Sequence, residues 1–209
     1  MTPIDKIKRK AKKELDRNDN AHGYRHALRV ENLAREIWKR EGGDWPVISA
    51  ACLMHDWLSH KGRVYHVSEP ALGEIRKELA GFGFPKDKTE AVIEAIRRHE
   101  DYSGRKLSKE CLVLQDADRL DAIGAIGIAR CFYTTAMLGY PFGTPEEMHP
   151  LEKKYHIGQI TPAIQHFYTK LVHLKKNMNT PYAKKLARER HDFMLEFLRR
   201  FKMEWEGKK

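Results

Sequence analysis

The chain has 209 residues, 41% of them hydrophobic and 33% charged, with a formal net charge of +10. That balance supports one sizeable buried core and excludes a largely disordered polypeptide. No apolar run is long enough to cross a bilayer, and the opening residues Met1-Thr2-Pro3-Ile4-Asp5 lack a signal-peptide pattern. A basic excess favours anionic partners: nucleotides, nucleic acid or phosphate esters. The basic residues are spread along the chain, with mild clusters at 6–13 and in the last two helices, so charge alone does not choose among them. Three cysteines, Cys52, Cys111 and Cys131, sit in apolar runs without metal-finger spacing. Their odd number points to free thiols in a reducing compartment, so the cytoplasm is the expected location.

The periodicity predicts a first amphipathic helix over 4–17, with Ile4, Ile7, Ala11 and Leu15 on one side. A second helix begins near His22-Gly23-Tyr24. Its stripe is Val30, Leu33, Ala34, Ile37 and Trp38, and His26, four residues before Val30, joins it. Gly42-Gly43 ends that helix. Asp44 as N-cap and Pro46 in the first turn open the next, whose stripe is Val47, Ala51, Met54 and Leu58. His55 continues this inward face, and Asp56 lies about 100° further round.

An irregular stretch, 59–66, follows. Ser68 and Pro70 open a helix bearing Leu72, Ile75 and Leu79. Asp87 and Glu90 have capping-box spacing before a helix whose stripe is Val92, Ala95, Ile96 and His99. Ser108 caps a long helix carrying Cys111, Leu114, Asp118, Ala122 and Ala125 at spacings of three and four, so Asp118 points along an apolar face. Asp121 could share that side; Asp116 falls on another, as a solvated or a structural residue. Gly124, Ala125, Gly127 and Ala129 suit close, buried packing. Residues 139–160 read as a long connection, either a lid or a plain surface loop. Thr161-Pro162 and Thr180-Pro181 start two closing helices, the last with the stripe Leu186, Phe193, Met194, Phe197, Leu198 and Phe201. The expected architecture is an all-α single domain.

His26, His55, Asp56 and Asp118 thus lie on inward positions of three helices. Taken singly, an inward His is most often a core residue bonded to a carbonyl, and Asp118 could pair with an Arg. A buried, unpaired carboxylate is costly, and a shared divalent cation removes that cost. Two imidazoles and two carboxylates suit Mn²⁺, Fe²⁺, Co²⁺ or Zn²⁺, and also Mg²⁺.

The order His26, His55-Asp56, Asp118 resembles the H…HD…D signature of the HD-domain metal-dependent phosphohydrolases. The stretches 22–30, 115–127 and 166–205 look like a branch of small stand-alone bacterial hydrolases, so the similarity covers about 20–205. The resemblance implies an HD-domain helical bundle over 1–209 and a mononuclear site of His26, His55, Asp56 and Asp118, with Asp121 as the alternative fourth ligand. Mn²⁺ is the first choice of ion, with Mg²⁺, Fe²⁺, Co²⁺, Ni²⁺ or Zn²⁺ as others. It also implies a nucleotide substrate, with pyrophosphate released from nucleoside or deoxynucleoside triphosphates. A phosphomonoesterase or phosphodiesterase of the same family, and a non-catalytic module binding nucleotide or nucleic acid, are the rival readings.

Some relatives carry an acidic residue three places after the HD aspartate, where this chain has Ser59. His60 then becomes the candidate general base, or else a solvated loop residue. Lys61 is the first candidate for a phosphate contact. His99 either touches phosphate or is a satisfied core histidine, and His22 lies one turn before His26 across Gly23. The oligomeric state is left open.

Overall fold

The computed structural model describes residues 1–15, 21–57, 68–149 and 161–208. Its described residues contain helices and turns but no strand, as the all-α expectation requires. They divide into two compact units, Met1–Asp118 and Arg119–Lys209.

The first unit opens with α1, Pro3–Leu15. Thr2 and Asp5 cap it reciprocally: the Asp5 amide donates to Thr2 Oγ1, and the Thr2 amide donates to Asp5 Oδ2 at 2.8 Å. Ile7, Ala11 and Leu15 form its buried face. Helix α2, Tyr24–Glu41, ends where Gly42 takes a positive φ of 76°, returning its amide to the Trp38 carbonyl.

Helix α3, Trp45–Met54, begins as the sequence indicates, with Asp44 accepting from the Val47 amide. Every residue from Val47 to Met54 is buried, so the helix is enclosed all round and not along one stripe. It packs against α1, α2 and α5, the last being Lys86–Arg98. Between them, α4, Glu69–Gly81, starts at Ser68, whose hydroxyl accepts from Ala71. Pro85, not Asp87, is the N-cap of α5. Its fixed φ sets the helical entry, and Asp87 falls inside the first turn. Ser108 caps α6, Lys109–Asp121, as expected.

The second unit corrects several expectations. The long helix after Ser108 does not continue through Ala125. It stops at Asp121, and α7, Gly124–Met137, starts afresh. Gly124 has φ +77°, with Arg190 packed where a Cβ would stand; a Cβ on Gly127 would lie 2.3 Å from the Ala122 carbonyl oxygen. The two glycines therefore let the chain turn back tightly on itself. Ala125 and Ala129 are exposed, against expectation, while Gly124 and Gly127 are buried.

After a 3-10 turn, Pro145–Glu147, the described chain resumes at Thr161. Helix α8, Ala163–Thr169, has Pro162 rather than Thr161 as its N-cap. It passes into a 3-10 segment, Leu171–Asn177, and then α9, Pro181–Trp205, capped by Thr180. The buried face of α9 is Ala183, Ala187, His191, Met194 and Leu198; Phe193, expected on it, is exposed. Among the described residues no helix is long and apolar enough to cross a membrane, and the three cysteines are free and buried.

Candidate metal centre

His26 projects from the first turn of α2, where Gly23 leaves the chain extended and the helix starts at Tyr24. Its imidazole is buried, 1% exposed. His55 is the C-cap of α3, still helical in φ and ψ. A carbonyl oxygen can only accept, so His55 Nδ1 donates to the Cys52 oxygen 2.9 Å away, which makes Nε2 the acceptor of the neutral ring. The chain then tightens: the Trp57 amide bonds to the Met54 carbonyl, three residues back. Asp56 therefore sits in a turn closing α3, not on a continuing helix. That difference brings Asp56 Oδ2 to 3.6 Å from His55 Nε2 and 3.4 Å from His26 Nε2. Asp118, on the inward face of α6, places Oδ1 3.4 Å from His26 Nε2 and 3.9 Å from His55 Nε2.

The Nε2 atoms of His26 and His55 lie 3.2 Å apart. Asp56 and Asp118 thus each place a carboxylate oxygen within 4 Å of both imidazole nitrogens, and ionised carboxylates only accept. One ligand atom each from His26, His55 and Asp118 lies within 4.8 Å of the others, a grouping that could hold a metal ion. Acceptors so close repel unless a proton or a cation lies among them. This donor set fits a divalent ion of the borderline-hard class. The imidazoles are closed off, while the side chains of Asp56 and Asp118 stay 17% and 29% exposed, so the cluster opens to solvent on its carboxylate side.

Burial works to raise the Asp56 carboxyl, but the imidazoles of His55, His26 and His22 outweigh it and hold it below the usual range. Asp118 is pulled well below that range: burial opposes, and the His26 contact with the fields of His55, His26 and His99 prevails.

His22 and His99 flank the pair. The ring centres run His22 to His26 at 6.2 Å, His26 to His55 at 5.2 Å, and His55 to His99 at 5.4 Å. His99, the C-cap of α5, donates Nδ1 to the Ile96 carbonyl at 2.6 Å. It is a satisfied core histidine that also borders the cluster. His60 and Lys61 lie outside the described residues, as do Ser59 and Leu58.

Asp121 does not compete for the cluster on the evidence of its own partner. It is buried and bound to Arg130 at 2.8 Å within the second unit. Asp116 is fully buried, so the solvated alternative falls away.

Two polar residues escaped sequence reasoning. Gln115 is buried and its Nε2 donates to the carbonyls of Arg98 and Asp101, fastening the segment that carries His99 to α6. It lies three residues before Asp118, so the same spacing argument would have found it. Glu31 is buried at 2%, accepting from Ser49 Oγ at 2.6 Å and pairing with Lys8 at 2.9 Å. It ties α1, α2 and α3 together, and no local signal announces it.

The HD domain family model matches residues 23–123, which include every residue of this cluster. YpgQ of Bacillus subtilis (strain 168) is 35% identical over 198 residues, spanning 92% of this chain and 89% of that protein. Its crystal structure in complex with ADP matches with a TM-score of 0.76 at 31% identity, over 97% of this chain and 94% of that one. A Lactobacillus plantarum structure matches with a TM-score of 0.80 at 34% identity, over 98% and 97%. An HD-superfamily hydrolase from Bacillus thuringiensis matches with a TM-score of 0.75 at 31% identity, over 97% and 96%.

Proposed function

Since this chain belongs to the HD-domain family and is a hydrolase of that family, we propose that its substrate is a nucleoside or deoxynucleoside triphosphate, cleaved to monophosphate and pyrophosphate. The observation that carries the reading is the buried pair of imidazole nitrogens, 3.2 Å apart, facing two carboxylates. That the Bacillus subtilis relative was crystallised in complex with ADP supports a nucleotide as the ligand. We read residues 1–209 as one HD domain, because the relatives match nearly end to end. The free, buried thiols support a cytoplasmic protein.

His26, His55, Asp56 and Asp118 would hold the ion, with Mn²⁺ as first choice. When bound, a divalent ion supplies Lewis acidity, lowering the pKa of a water and drawing charge from the phosphoryl oxygens. The chain's own work is to hold four donors still. His55 is fixed by its bond to Cys52, and His99 by its bond to Ile96, so neither ring turns when substrate arrives. Water attacks the α-phosphorus, the bond to the bridging oxygen breaks, and pyrophosphate leaves. His60 takes the water's proton in this reading. Lys61 contacts the phosphates, with His22 and His99 at the rim of the site.

A panel of nucleotides incubated with Mn²⁺ tests this, with orthophosphate and pyrophosphate assayed separately. Triphosphates should yield one pyrophosphate per monophosphate and little orthophosphate. Orthophosphate as the main product, or turnover of monophosphates instead, overturns the triphosphate assignment.

A further inference from the structure

Residues 153–188 hold eight Lys or Arg and no Asp or Glu. The rest of the chain has 31 basic residues against 29 acidic ones, so this stretch carries most of the net charge. Its described part lies wholly in the second unit. There the 3-10 segment packs against both α8 and α9. Lys176, Lys184, Lys185 and Arg188 are exposed, and Lys170 and Lys175 are half-buried. None of these six forms an ion pair with another described residue; Arg188 donates only to the Lys184 carbonyl.

The arrangement works against the local helix. Lys184 and Arg188 stand four apart, and Lys185 and Arg188 three apart, so like charges face each other. They occupy the N-terminal part of α9, whose first turn has no acidic residue and whose dipole disfavours cations. The other end of the same helix is arranged conventionally: Arg199 pairs with Glu196 and Arg200 with Glu204. One helix thus pairs Arg199 and Arg200 at one end and leaves Lys184, Lys185 and Arg188 without an ion pair at the other, although Glu189 and Asp192 follow Lys185 and Arg188 by four residues. Such a local crowding of cations without an ion pair marks a surface whose partner lies outside the chain.

We propose that the basic face of residues 170–188 docks the phosphate backbone of duplex nucleic acid. Six cations over three elements exceed what one triphosphate neutralises, and they suit a repeating polyanion. No large hydrophobic residue among the described ones in 161–190 is exposed. The face therefore has no apolar wedge for a lipid surface and no aromatic platform for unstacked bases. What remains is charge, which reads phosphate without reading sequence.

The full chain is titrated with a fluorescent 25-base-pair DNA duplex between 50 and 200 mM salt, followed by anisotropy. Four to six phosphate contacts give a slope of about −0.9 each, so affinity should fall by about 10²–10³-fold across that range. Lys184→Gln/Lys185→Gln/Arg188→Gln should flatten the slope by about 3, with the helical spectrum and hydrolytic turnover unchanged. Arg199→Gln/Arg200→Gln should leave the slope as it is. The proposal is overturned if the duplex fails to bind at 50 mM salt, or if the triple variant keeps the wild-type slope. Binding to phosphatidylserine vesicles but not to the duplex also overturns it.

Discussion

Asp56→Ala should abolish Mn²⁺-dependent turnover while the helical circular-dichroism spectrum stays that of the wild type. Asp56 sits in the turn after α3, 17% exposed, and its Oδ2 faces both imidazole nitrogens. Asp56 lies beyond the last residue of α3, so its loss should leave the helices in place. Removing one electrostatic donor from an enzyme site typically costs roughly 10²–10³ in rate. Loss of an ion's ligand should cost at least about 10³, because the charge that stabilises the phosphoryl oxygens weakens with it. A variant that keeps more than about a tenth of wild-type activity would remove Asp56 from the mechanism.

Asp118→Ala and Asp121→Ala should fail in different ways, although the two residues stand three apart on one helix. Asp121 is 1% exposed and paired with Arg130 at 2.8 Å. Deleting it strands a guanidinium with little access to water, which should cost about 3 kcal/mol of stability, read from the urea midpoint. Asp118 faces the imidazoles of His26 and His55 and is 29% exposed. Its deletion should leave the metal-free protein within about 1 kcal/mol of wild type and abolish turnover. An Asp121→Ala protein of normal stability that cannot bind Mn²⁺ would reverse the assignment of the two carboxylates.

This pair also shows where sequence reasoning stops. Spacings of three and four placed both aspartates near the inward face, and nothing local separates them. The separation comes from Arg130, reached only because the chain breaks at residues 122 and 123. That break rests on Gly127 approaching the Ala122 carbonyl and on Arg190 filling the space above Gly124. The second of these partners is far away in sequence. Helix starts were legible where a short polar side chain caps its own turn, as at Asp44, Ser68, Ser108 and Thr180. At α5 the proline's backbone constraint outweighed the capping-box spacing of Asp87. In the site, the 3.6-residue repeat brought out His26, His55 and Asp118. It misjudged how Asp56 arrives, because a helix was extended through what is a closing turn. Glu31 stayed hidden because its partners, Lys8 and Ser49, come from two other helices.

The convergence of His26, His55, Asp56 and Asp118 on one ion is tested most directly by titrating metal-free protein with Mn²⁺, following the loss of free-ion signal by electron paramagnetic resonance. Wild type should take up one ion per chain, and His26→Ala/His55→Ala should take up none in the same concentration range. Uptake by the double variant with wild-type affinity, or no uptake by the wild type, would contradict it.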